Sequence, residues 1–111
     1  MFNKNNNIIK MGYITRNAVI FNINTDTTIT NEEIDIIIID ASAGDVTLTL
    51  PAIPNEGLFF YIKDTGNAGT NSITIEGNGK NIDAGTSFVI NTNYDYTEIF
   101  YCSLNDKWFI L

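Results

Sequence analysis

The sequence predicts an all-β fold, an antiparallel β-sandwich of jelly-roll type with an extended N-terminal arm, and three observations predict it. Apolar residues recur with a period of two from Ala18 onward, β-branched Ile, Val and Thr dominate the apolar runs, and no ten-residue window carries a helical period. Turn-forming residues separate the runs at spacings of about 8–14 residues, the rhythm of a sandwich or barrel. Successive runs are expected to pair antiparallel, because parallel strands need connections of about a dozen residues or more.

The runs follow one another as AVIFNI (18–23), a short TTIT (27–30), IDIIII (34–39), VTLTL (46–50), LFFYIK (58–63), SITIE (72–76), TSFVI (86–90), YTEIFYC (96–102) and KWFIL (107–111). Between them lie Asp40-Ala-Ser-Ala-Gly44-Asp45, Pro51-Ala-Ile-Pro54-Asn-Glu-Gly57, Asp64-Thr-Gly-Asn-Ala-Gly69, Gly77-Asn-Gly79, Asn91-Thr-Asn93 and Asn105-Asp106. Each connector puts Gly, Asn, Asp or Pro where the backbone must turn. Residues 1–17 are asparagine-rich and weakly patterned, and read as an arm that orders on a partner; residues 18–111 read as the sandwich domain.

Composition removes several function classes. The 111 residues include no histidine and one cysteine, which excludes histidine-based acid/base catalysis, an internal disulfide and most zinc sites. Cys102 lies in the run Ile99-Phe100-Tyr101-Cys102 and reads as a structural thiol. The net charge of −7 argues against a nucleic-acid partner, since phosphate binding rests on clustered Lys and Arg. The basic residues Lys4, Lys10 and Arg16 nevertheless lead an otherwise acidic chain. The opening MFNKNNNIIKMGY has no continuous apolar core of a signal peptide, and no stretch approaches a membrane span, so the expectation is a chain made in the cytoplasm without membrane insertion.

The motifs that carry chemistry elsewhere read as turns here. Gly77-Asn78-Gly79-Lys80 lacks the spacing and the following helix of a phosphate-binding loop. Asp64-Thr65-Gly66 has the form of an aspartic-protease motif, but Lys63 precedes it where an apolar residue belongs, and Ile75-Glu76-Gly77 carries a charge where the second motif needs an apolar residue. Asp64 to Asn71 supplies too few oxygen ligands for a calcium loop, and Glu32-Glu33-Asp35 reads as a solvated turn. The expectation is therefore no enzyme, no catalytic residue, no metal and no cofactor. Tyr94 and Tyr96, in NTNYDYTE, are candidate contacts for a host-surface glycan on the alternative reading of an adhesion module.

Several runs are apolar on both faces, which a lone small sandwich does not need. Taking charges as markers of the outer face, Asp35 shares it with Ile37 and Ile39, Lys63 with Phe59 and Tyr61, Glu98 with Phe100 and Cys102, and Lys107 with Phe109 and Leu111. Thr47 and Thr49 mark the outer face of VTLTL. Burying Ile37, Ile39, Phe59, Tyr61, Phe100 and Phe109 between subunits would contribute about 1.5–3 kcal/mol each, comparable in sum with an association cost of about 4–15 kcal/mol. Those six are the expected subunit interface.

The run from Val46-Thr-Leu-Thr-Leu-Pro51 through Gly57, Ile62-Lys63-Asp64, Gly66-Asn67-Ala68, Ile73-Thr-Ile75-x-Gly77 and Ile82-Asp83 to the Trp108 strand resembles a β module of structural and appendage proteins in tailed bacteriophages. The resemblance spans about residues 36–111. It implies a homotrimer located in the virion, as a head fibre or capsid decoration, with an N-terminal segment bound to a capsid or other virion protein. On that reading Lys4, Ile8, Ile9, Lys10, Tyr13 and Arg16 are the particle-anchoring residues.

Overall fold

The computed structural model describes residues 17–111. All its regular structure is β: β1 (Ile20–Ile23), β2 (Thr27–Thr28), β3 (Ile36–Ile39), β4 (Val46–Thr49), β5 (Phe59–Asp64), β6 (Ile73–Glu76), β7 (Asn81–Ile82), β8 (Ser87–Ile90), β9 (Tyr96–Cys102) and β10 (Lys107–Ile110). The alternating runs read from the sequence are these strands, with β7 added.

Their pairing overturns the jelly-roll sandwich. A six-stranded sheet A runs β1-β3-β5-β9-β10-β7, and a four-stranded sheet B runs β2-β4-β6-β8. From β1 to β6 the chain alternates between the two sheets, and each strand lies parallel to the one two places before it: β1 to β3 to β5 in sheet A, β2 to β4 to β6 in sheet B. This is a β-solenoid of about three turns. Antiparallel pairs close its C-terminal end, β8 on β6, β9 on β5 and β10 on β9. The rule that parallel strands need long connections holds, but a strand of the opposite sheet supplies the connection. Asp40 to Asp45 is therefore a corner between sheets, not a turn between antiparallel neighbours.

Stacked turns place like residues above like. One inward row of sheet A runs Phe21–Ile37–Ile62–Thr97, and two inward rows of sheet B run Val46–Ile73–Ile90 and Leu48–Ile75–Phe88. With Phe60, Ile99, Tyr101 and Trp108 they form one core between the sheets. Trp108 is completely buried and packs on Phe60 and Tyr101, with ring centroids 6.0 and 5.6 Å away.

Ile37 and Ile39 belong to this core and are fully buried, so they cannot be interface residues as the charge-marker argument expects. The marker fails at Asp35. Its carboxylate accepts the backbone N–H of Val19 at 2.6 Å and so serves the junction with the first strand. The outward residues of β3 are Ile36 and Ile38.

Candidate functional site

The two sheets differ on their outer faces. Sheet B presents Thr47–Thr74–Val89 and Thr49–Glu76–Ser87, largely polar rows suited to water. Sheet A presents Ile20–Ile36–Tyr61–Glu98 across four strands, and beside it Phe59–Phe100–Phe109 across three. Phe100 and Phe109 pack at 5.7 Å. Leu111 joins the Glu98 end, where its N–H bonds the Glu98 carbonyl at 2.9 Å. Ile20 is 57% exposed, Phe59 40% and Leu111 71%.

Of the expected interface residues, the structure thus gathers Phe59, Tyr61, Phe100 and Phe109 on one solvent-facing surface and removes Ile37 and Ile39. Ile20, Ile36 and Ile38 join that surface and were missed. In β3 the four isoleucines are consecutive, so only the pairing partner fixes which of them point out, whereas in β1 the exposed Asn22 marks the face that Ile20 shares and is the signal that could have found it. The anchoring residues Lys4, Ile8, Ile9, Lys10, Tyr13 and Arg16 lie outside the described residues.

At the far end of β5 and the start of β9 a third row sets Ile38, Lys63 and Tyr96 side by side. Tyr96 stacks on Tyr61 with centroids 5.1 Å apart. Tyr94, on the loop before β9, is brought to the same corner, and its carbonyl accepts a hydrogen bond from the Lys63 ammonium.

Asp64 organises this corner from beneath. Its side chain is fully buried and accepts N–H bonds from Gly66 (3.0 Å), Asn67 (3.3 Å), Ala68 (3.1 Å) and Tyr94 (2.9 Å). Burial works against its charge, but the four N–H groups together outweigh burial and hold the carboxyl below the ordinary value of 3.8. A carboxylate so engaged is a loop organiser.

The Gly77 to Lys80 stretch is a turn, as the spacing predicts: Lys80 N–H bonds the Gly77 carbonyl at 3.3 Å, with Asn78 and Gly79 at φ of 56° and 93°. It borders a groove of about 380 Å³ lined by Thr49, Glu76, Asn78, Gly79, Lys80, Asn81 and Thr86. Lys80 is tied to Asp106 at 2.8 Å, and the Tyr101 hydroxyl donates to the same Asp106 oxygen at 2.6 Å. Those contacts staple the turn to the β9–β10 hairpin, which accounts for the lysine without a phosphate. Among the described residues no group of three or more acids or thiols is placed to hold a metal ion.

No family model and no curated protein matches the chain. Among solved structures, a chain in a structure of a chaperone-substrate complex is similar over 85% of this chain and 16% of that one, with a TM-score of 0.53 and 17% sequence identity. The present chain therefore corresponds to a small part of that chain's length. At that identity the likeness shows a shared fold alone, the β-solenoid described above.

Proposed function

We propose that the chain is a non-enzymatic structural module that assembles with copies of itself, as a trimer, through the outer face of sheet A, and that it decorates a tailed-phage particle as a head fibre or capsid decoration held by residues 1–17. The observation that carries the self-association is the contrast between the two outer faces: threonine-rich on sheet B, rows of Ile, Phe and Tyr on sheet A. Contiguous apolar surface of this kind on a small domain marks an interaction site. With Ile37 and Ile39 assigned to the core, the interface rests on Ile20, Ile36, Phe59, Tyr61, Phe100 and Phe109. The virion role and threefold symmetry rest on the sequence resemblance, and the engagement of Asp64 with backbone amides supports the non-enzymatic reading.

The test combines two variants of the full chain. Phe59→Asp places a charge at the β5 end of the Phe59–Phe100–Phe109 row, on a side chain 40% exposed, and is expected to give folded single chains. Deletion of residues 1–17 is expected to leave the assembled form intact and to abolish co-purification with phage particles. Assembly that survives Phe59→Asp refutes the interface, and particle binding that survives the deletion refutes the anchoring role.

A further inference from the structure

The corner built by Tyr94, Tyr96 and Lys63 borders the self-association face at Tyr61, on which Tyr96 stacks, but the Phe59–Phe100–Phe109 row lies toward the opposite ends of β5 and β9. Tyr94 is 64% exposed and Tyr96 48%, so neither ring is spent on the core. Both are nevertheless held in place. Tyr96 lies nearly parallel to Tyr61, their planes 6° apart. Tyr94 adopts φ 65°, a left-handed conformation that a tyrosine rarely takes. The buried Asp64 fixes it there through the Tyr94 N–H. Beneath its ring lies Gly66, where any Cβ would fall 2.7 Å from the Tyr94 Cζ. Three separate features, a strained backbone, a buried carboxylate and a glycine seat, thus converge on presenting an aromatic ring to solvent.

The charges around the rings select the ligand. The Lys63 ammonium stands 5.9 Å from the Tyr94 centroid and 5.8 Å from that of Tyr96. It fills the place a cationic ligand would take between aromatic faces, and repels a second cation. Asp95 lies in the chain between the two rings, Glu98 stands opposite Tyr61, and the chain carries a net charge of −7, which together disfavour a polyanion. What suits the platform is a neutral ligand with an apolar face to lie on the rings and hydroxyl groups to bond the ammonium and the flanking carboxylates.

We propose that Tyr94, Tyr96 and Lys63 form a binding site for a neutral saccharide. The apolar C–H face of a sugar ring packs on the exposed tyrosine, and its hydroxyls donate to Asp95 and Glu98 and accept from Lys63. The site is open, so affinity is in the weak range, with a Kd of roughly 1 mM for a single sugar, and several copies in one assembly would strengthen it by avidity.

The experiment presents the full chain to an array of neutral oligosaccharides alongside sialylated and sulfated ones, then titrates the retained sugars against wild type, Tyr94→Ala, Tyr96→Ala and Tyr96→Phe by NMR. Expected are retention of neutral sugars, a rise in Kd of roughly threefold to tenfold for either alanine variant, as loss of a stacked ring implies, and near-wild-type binding for Tyr96→Phe. On the same variants thermal unfolding should stay cooperative, with at most a small loss for Tyr96→Ala, whose ring stacks on Tyr61, and the assembled mass should not change, which separates this site from the self-association face. The proposal is overturned by no neutral saccharide binding at millimolar concentration, by binding confined to acidic glycans, or by binding indifferent to both alanine changes.

Discussion

Asp64→Ala removes one acceptor shared by four backbone N–H groups, and its cost can be worked from the geometry. The Ala68 amide is buried, while those of Gly66, Asn67 and Tyr94 are partly so. An unpaired buried donor costs about 1–3 kcal/mol. Taking roughly 2 kcal/mol for Ala68 and roughly 1 kcal/mol for each amide that water can reach gives about 5 kcal/mol. Relief of the buried charge offsets about 1–2 kcal/mol, leaving a net loss of about 3–4 kcal/mol. That is a large share of the about 5–15 kcal/mol that stabilises a typical domain, and corresponds to a Tm drop of roughly 13–17 °C. Urea unfolding followed by the fluorescence of Trp108, the one tryptophan and a buried one, measures it. Because the folded carboxyl sits below 3.8, its contribution is complete above that pH and is lost as pH falls below it toward the folded value. Wild type should therefore lose more stability on acidification through that window than Asp64→Asn does. A loss under about 1 kcal/mol for Asp64→Ala, or identical acid sensitivity in wild type and Asp64→Asn, refutes the organising role.

Three further predictions concern other parts of the molecule. Ile37→Ala should cost about 2–5 kcal/mol by urea unfolding, as expected for a fully buried side chain, whereas Ile38→Ala, on the outward side of the same strand, should cost less than about 1.5 kcal/mol. Gly77→Ala should destabilise the fold by about 3 kcal/mol or more in thermal unfolding, because its Cβ would fall 1.9 Å from the Lys80 carbonyl oxygen. The hydrogen bond to Asp106, with burial second, pushes Tyr101 up to about 12, so the stability it contributes is complete below pH 10 and lost as pH rises toward 12. Asp106→Asn should bring the Tyr101 titration back down, read as a difference in ultraviolet titration against Tyr101→Phe.

How far the fold was legible depended on which physical rule each residue obeys. Strand positions were readable because alternation in VTLTL or YTEIFYC records a local constraint, one face to the core and one to water. Pairing was not, because nothing in a connector such as Asp40 to Asp45 says whether the next strand lies beside the last or in the opposite sheet. Four consecutive isoleucines in β3 erase the phase, and the nearby Asp35, used to restore it, is bound to the Val19 amide instead. The outer face was readable where a charge sat within the strand itself, as Lys63 and Glu98 do beside Tyr61. Tyr94 and Tyr96 were visible as exposed aromatics, but their union with Lys63 and Tyr61 depends on the β5–β9 register and on Asp64, which the sequence shows only as half of a protease-like motif.

The self-association of the oily face of sheet A is tested most directly by the mass of the purified full chain in solution, measured by light scattering across a wide range of concentration. The prediction is a species of three times the 12.4 kDa chain mass that Phe59→Asp converts to single chains. A species of one chain mass at every concentration would contradict it.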